Sequence, residues 1–205
     1  MPDTKPLPPV HTAVVLFTIR RTLELLLLPG DPWQLPVADL GAGENLDTCA
    51  QRALTEATGV SDVFLEQLYT FRASNGAPGV VVSYYALIPY ERMHIRPGSS
   101  EWVDPARLPP ITPGSRQIVA CANERLAAKL EYAPIAYQFL ADRFTLSELQ
   151  SVYEIISRQT LDKRNFRRRM RASPHLLETR DTRRGGRHRP ARLYRLSDIE
   201  PSVRG

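Results

Sequence analysis

The N-terminal part of the chain alternates strand-like apolar runs with one helical stripe. His11 to Ile19 (HTAVVLFTI) is rich in β-branched and apolar residues, and Leu23 to Leu28 is nearly all apolar. The polar pair Arg20-Arg21 between them predicts a hairpin with one buried strand. PGDPWQLP then interrupts the pattern with three prolines and a glycine, which predicts a loop. Leu46, Ala50, Ala53, Leu54 and Ala57 follow at helical spacing. Asn45 or Asp47 is placed to cap that helix, and Gly59 to end it. Leu65 to Phe71 and Val80 to Ile88 read as strands joined by the loop RASNGAPG, and Glu101 to Val103 as a further short strand. Pro105, Pro109, Pro110 and Pro113 break the chain repeatedly. A helical period returns from Ser115 to Tyr132 through Ile118, Cys121, Leu126, Lys129 and Leu130.

Beyond Pro134 the pattern changes. Ile135 to Leu140 is expected to open a new helical unit. Thr145 and Glu148 then have the spacing of a capping box, and Leu146, Leu149, Val152, Tyr153 and Ile156 form one apolar helix face. About four residues, Arg158 to Leu161, separate this helix from LDKRNFRRRMRAS. On a second helix, Arg164, Arg167, Arg168 and Arg171 fall at i, i+3, i+4 and i+7, and Phe166 and Met170 project from the opposite side. His175 to Thr179 and Arg192 to Leu196 read as strands around a loop. That loop carries Gly185-Gly186 near its tip, with Arg183, Arg184, Arg187 and Arg189 around it. Helix, turn, basic helix and basic hairpin follow one another in winged helix-turn-helix order. An arginine-faced helix suits the major groove, and a basic hairpin suits phosphates or a narrow minor groove. A solvated basic surface is the plainer alternative for the arginine face taken alone.

Charge sharpens this picture because it is unevenly placed. Residues 161–205 hold 14 Lys+Arg against 5 Asp+Glu. Out of totals of 27 and 22, that leaves residues 1–160 with 13 against 17. A basic end on an acidic body predicts a polyanionic partner for the end alone. Cys49 and Cys121 are too few for a disulfide scaffold and lack metal-ligand spacing, so a reducing, cytoplasmic setting is expected. No apolar run near the N-terminus is long enough to span a membrane, and MPDTKPLPP lacks the features of a signal peptide. A soluble protein is expected.

The segment GAGENLDTCAQRALTEATGV resembles the Nudix box, G-x5-E-x7-R-E-U-x-E-E-x-G-U. It keeps Glu44, Arg52, Leu54, Glu56, Gly59 and Val60. Ala38 stands at the box's first glycine, and Ala53 and Ala57 replace two of its three helix glutamates. Those three carboxylates would converge on one helix face to hold Mg²⁺ against a pyrophosphate. Glu44 and Glu56 alone are a poor cage for a cation that wants an octahedron of oxygens. The expectation is therefore a Nudix fold without hydrolysis, in which Glu44, Arg52 and Glu56 form an ion-paired brace. No catalytic residue, metal or cofactor is assigned.

Together with LEQLYTF, VVVSYYALI, LEYAPIAYQFL, FTLSELQSVYE, LDKRNFRRRM and RPARLYR, this segment makes the chain resemble the NrtR family of Nudix-related transcriptional regulators. The resemblance implies an α+β chain: a Nudix-like mixed α/β/α sandwich over residues 1–132 for sensing and dimerisation, then a winged helix-turn-helix domain over 133–205. It further implies a homodimeric repressor of NAD-metabolism genes. Such a regulator binds a palindromic operator and releases it on binding a nucleotide-derived metabolite such as ADP-ribose. Thr145, Ser147, Lys163, Arg164, Arg167, Arg168, Arg171, Arg184, Arg187 and Arg189 are the DNA-binding candidates. The sensor departs from the family pattern at three points. Val37-Ala38 stand in place of the glycines of LPGG, SNGAPG in place of an arginine-bearing loop, and Gly114-Ser115 near an expected Asp-His pair. These changes remove suppliers of pyrophosphate contacts and weaken ADP-ribose as the expected ligand. A Nudix hydrolase of a nucleoside diphosphate derivative with an accessory basic tail is the alternative. A non-specific nucleic-acid binder is a third possibility.

Overall fold

The computed structural model describes residues 8–73, 79–93, 100–183 and 190–197. The chain divides into two compact units, Met1–Arg125 and Leu126–Gly205.

The first unit is built on a mixed sheet. Strand β1 (Val10–Ile19) lies at its centre and is buried along nearly its whole length, the signature of a strand covered on both faces. It pairs parallel with β5 (Val80–Leu87) on one side, and β4 (Phe64–Arg72) adds to β5 antiparallel as an edge. On its other side β1 is shared. Its C-terminal end pairs with β2 (Leu23–Leu27) through the Arg20-Arg21 hairpin, and its N-terminal end pairs with β3 (Val37–Asp39). Strand β6 (Glu101–Val103) extends the sheet beyond β2. The sequence pattern missed β3, because three residues between a proline-rich loop and a glycine pair carry too short an alternation to register.

Helix α1 (Leu46–Thr58) is capped as its sequence prescribes. The Asn45 side chain accepts the Thr48 amide at 2.8 Å, and Gly59 takes the left-handed conformation, with φ of 74°, that ends the helix. Cys49, Ala50, Ala53 and Leu54 bury against Val14, Leu16, Val82, Tyr84 and Ala86 of the sheet. The small side chains let the helix approach the sheet closely, and Cys49 takes part where the stripe alone suggested Ala57. Helix α2 (Pro113–Lys129) begins at a proline the sequence reading took for a break. Proline suits a first helical position, whose amide has no partner within the helix. The Thr112 hydroxyl accepts the Ser115 amide at 3.1 Å to complete that start.

The second unit opens with a 3₁₀ segment, Pro134–Phe139, where an α-helix was expected from Ile135. It buries Ile135, Ala136, Tyr137 and Phe139. Helices α3 (Leu146–Ser157) and α4 (Lys163–Arg171) follow, then the antiparallel hairpin of β7 (Leu176–Arg183) and β8 (Ala191–Leu196). Phe144 and Tyr194 exchange backbone hydrogen bonds at 3.0 and 2.8 Å, which ties the chain entering α3 to the hairpin as a short third strand. Strand β7 is longer than its sequence signal. It continues from Thr179 through Arg183, past a register irregularity.

Candidate nucleic-acid interface

Helix α3 starts at a complete capping box. The Thr145 hydroxyl accepts the Glu148 amide at 3.2 Å, and the Glu148 carboxylate accepts the Thr145 amide at 2.7 Å. Leu146, Leu149, Val152 and Ile156 are buried. The helix ends at Arg158, a non-glycine residue at φ of 55°. The turn after it is fixed by side chains of α3. Glu154 accepts the Leu161 amide at 2.9 Å, and Gln150 donates to the Leu161 carbonyl at 3.0 Å. The Leu161 amide and Gln150 together hold the Glu154 carboxyl below the usual carboxylate range. Gln150 and Glu154 thus set the angle between the two helices. Their i, i+4 spacing was visible in the sequence, although the backbone groups they hold were not.

Helix α4 begins at Asp162, whose carboxylate accepts the Asn165 amide at 2.8 Å. Its apolar side is Phe166 and Met170, both buried. Phe166 meets Tyr153 of α3 edge-on, with ring centroids 5.3 Å apart. The cationic side is Lys163, Arg164, Arg167, Arg168 and Arg171, which line one open groove together with Asp162. Among the described residues, none of Lys163, Arg164, Arg168 and Arg171 has an ion-pair partner. Arg169 is different: its guanidinium lies 5.7 Å from both the Tyr153 and Phe166 ring centres, where it covers the apolar seam.

The remaining candidates are placed as follows. Ser147 is exposed on the first turn of α3, and its hydroxyl lies 3.4 Å from Arg167 Nη2. Thr145 is buried at 9% exposure, and its hydroxyl is taken up in the cap. Arg184, Arg187 and Arg189 lie outside the described residues. Arg183, read from sequence as part of the basic loop, is instead in β7. It pairs with Glu148 at 2.6 Å and donates to the Arg143 carbonyl at 2.9 Å. Arg143 in turn pairs with Asp181, and Arg192 of β8 with Glu178. The Arg183 and Asp181 pairs brace the hairpin against the start of α3, and the Arg192–Glu178 pair ties its two strands together. The two acidic residues Glu178 and Asp181 within this basic stretch were the available signal for them. A cleft of about 590 Å³ opens between the start of α3, α4 and the hairpin, lined by Ser147, Arg167, Arg171, Thr182 and Arg192 among others.

In the first unit, Glu44, Arg52 and Glu56 do come together. Arg52 donates through Nε to Glu44 Oε1 at 3.0 Å and through Nη2 to Oε2 at 2.9 Å, a bidentate pair. Glu44 Oε2 also accepts the Gly41 amide at 2.9 Å, and Arg52 also reaches the Asp39 carbonyl at 2.8 Å. Glu56 stands 3.5 Å from Arg52 Nη1. The Arg52 guanidinium and the Gly41 amide hold the Glu44 carboxyl down at about 2, and Glu44 raises Arg52 in return. This cluster ties the loop after β3 to α1.

Fold and surface together define a Nudix-like body followed by a winged helix that presents unpaired arginines on α4. Residues 136–196 match the family of the NrtR DNA-binding winged helix domain. A relative from Acinetobacter baylyi, the ADPR responsive transcriptional repressor NtrR, is 35% identical over 175 residues, spanning 80% of this chain and 70% of that one. The chain belongs to the NrtR family. The crystal structure of Shewanella oneidensis NrtR complexed with a 27mer DNA is similar at a TM-score of 0.82 and 30% identity, covering 92% of this chain and 93% of that one. The NUDIX domain of the same protein, complexed with ADP ribose, matches at a TM-score of 0.54 and 26% identity, over 62% of this chain and 93% of that one.

Proposed function

We propose that the chain is a homodimeric transcriptional repressor whose winged helix binds a palindromic operator. Its Nudix-like unit senses a nucleotide-derived metabolite, and the genes it controls serve NAD metabolism. The observation that carries this is the face of α4, where Lys163, Arg164, Arg168 and Arg171 are exposed and lack acidic partners among the described residues. A helix that needed these charges for its own stability would pair them. Left open, they suit phosphates and base edges. Paired half-sites follow from the two-fold geometry of dimeric helix-turn-helix proteins. No helix among the described residues is long and apolar enough to cross a membrane.

ADP-ribose is the leading effector by kinship with the Acinetobacter repressor and the Shewanella complex. The residues of this sensor argue for weaker recognition. Ala38 is buried in β3, where its neighbours pair with β1, and Gly114-Ser115 fall in the first turn of α2. The loop at 74–78 lies outside the described residues.

The Nudix-box residues do not fit a divalent cation. Ala53 sits in the core, Ala57 offers no oxygen, and both carboxylate oxygens of Glu44 are bound by Arg52. We therefore read the box as a structural brace, with no hydrolytic step through it. Incubation with ADP-ribose and added Mg²⁺ is expected to release no product. Release that is abolished by Glu56→Gln would restore the hydrolase reading. The regulator itself is tested by competing genomic fragments against excess non-specific DNA, with and without ADP-ribose. The expected result is selective binding that the nucleotide relieves. Binding without selectivity would contradict the proposal.

A further inference from the structure

Resting on the DNA-binding reading above, we infer that the α4 arginines divide their work. Arg164 and Arg168 read base edges, whereas Arg167, with Arg171 and Ser147, seats one backbone phosphate in the cleft between the start of α3 and the hairpin.

The division follows from where each guanidinium lies. Arg164 and Arg168 are one helical turn apart and exposed, and they line the open groove but not the cleft. Nothing among the described residues restrains either fork from turning toward a base pair, and bidentate readout of guanine needs that freedom. Arg167 is half-buried and lines both the groove and the cleft. Its Nη2 lies 3.4 Å from the Ser147 hydroxyl, and its buried Nε has no hydrogen-bond acceptor. A buried guanidinium N–H left without an acceptor costs free energy, and an anionic oxygen in the cleft would satisfy it. To reach a base edge, Arg167 would have to leave Ser147 and withdraw from the cleft.

The cleft suits a phosphate diester in other respects. At about 590 Å³ and open to solvent, it has room for a phosphate group. Arg167, Arg171 and Arg192 line it together with Ser147 and Thr182, a cationic and hydroxyl-bearing wall. The neighbouring carboxylate, Glu148, has one oxygen on the Thr145 amide and the other on Arg183, so its charge is already compensated. Arg169 takes neither part, since it covers Tyr153 and Phe166.

The test uses the full-length chain, its operator duplex, single base-pair variants of that operator, and a salt titration. Arg167→Ala is expected to weaken every duplex alike and to flatten the slope of log K against log[salt] by about 0.9. Arg167→Lys should recover most of that slope, because a point charge still meets a phosphate. Arg164→Ala and Arg168→Ala should each lose about 5- to 150-fold of discrimination at one base pair per half-site, with the slope nearly kept, and lysine should not restore it. Thermal melts of each variant identify any that fail to fold. Such a variant is replaced by its glutamine counterpart, judged by the same criteria. Lost base preference on Arg167→Ala with an unchanged slope would overturn the assignment. A flattened slope with intact preference on both Arg164→Ala and Arg168→Ala would overturn it equally. An unsubstituted chain that binds all duplexes equally would overturn the underlying DNA-readout proposal, and this assignment with it.

Discussion

Arg52 is bonded to Glu44 through two nitrogens, and the pair is tied to the backbone at Gly41 and Asp39. Because the Glu44 carboxyl is held at about 2, below its ordinary 4.5, folding favours its charged form. Its contribution is therefore fully present above about pH 4.5 and is lost as pH falls toward 2. Glu44→Gln should lower the melting temperature at neutral pH, and the gap to the unsubstituted chain should close over that acidic window. A gap unchanged at pH 3 would contradict the brace. This residue-by-residue chemistry was only half legible in the sequence. The spacing of Glu44, Arg52 and Glu56 announced a cluster, and the alanines at 53 and 57 announced that its metal chemistry had gone. Arg183 shows the limit. Its membership of a basic run said nothing of Glu148, 35 residues away, which reaches it only through the fold.

Helix α4 depends on having two faces. Phe166 and Met170, 3% and 6% exposed, are the apolar residues of a nine-residue helix that is otherwise polar or charged. Phe166→Ala should cost about 3–5 kcal/mol in urea denaturation, because it removes the ring packed on Tyr153 and leaves a cavity. A loss below 1 kcal/mol would mean that α4 is held by something other than this seam. At the head of α3, Thr145→Ala should cost about 1 kcal/mol by deleting one half of the capping box. It should leave the salt dependence of DNA binding unchanged, since Thr145 carries no charge and is only 9% exposed. A flattened salt slope in that variant would return Thr145 to the DNA interface. Elements with strong local signals were predicted closely: α1 and α3 with their caps, the Arg20-Arg21 hairpin, and β6. Those set by distant partners were not. Strand β3 exists because β1 offers it an edge, and Pro134–Phe139 is a 3₁₀ segment where the sequence predicts the start of an α-helix.

The two units carry opposite charge, 10 basic against 13 acidic residues over 1–125 and 17 against 9 over 126–205. Such an asymmetry directs a polyanion to the C-terminal unit and keeps it away from the body. It was readable from composition alone, as was the order of helix, turn, basic helix and hairpin. Which arginines are open and which are spent required the fold, because Arg169 and Arg183 look the same as Arg164 and Arg168 in the sequence. The proposed function rests on the open face of α4 giving this chain selective hold on DNA. The most direct measurement is the ratio of affinities for its operator and for a scrambled duplex, at one fixed salt concentration. It should be made for the full-length chain and for a variant with Lys163, Arg164, Arg168 and Arg171 all changed to alanine. The ratio should be high for the unsubstituted chain and fall to near unity in a variant whose melting shows it still folded. A folded variant that keeps its preference for the operator would contradict the proposed function.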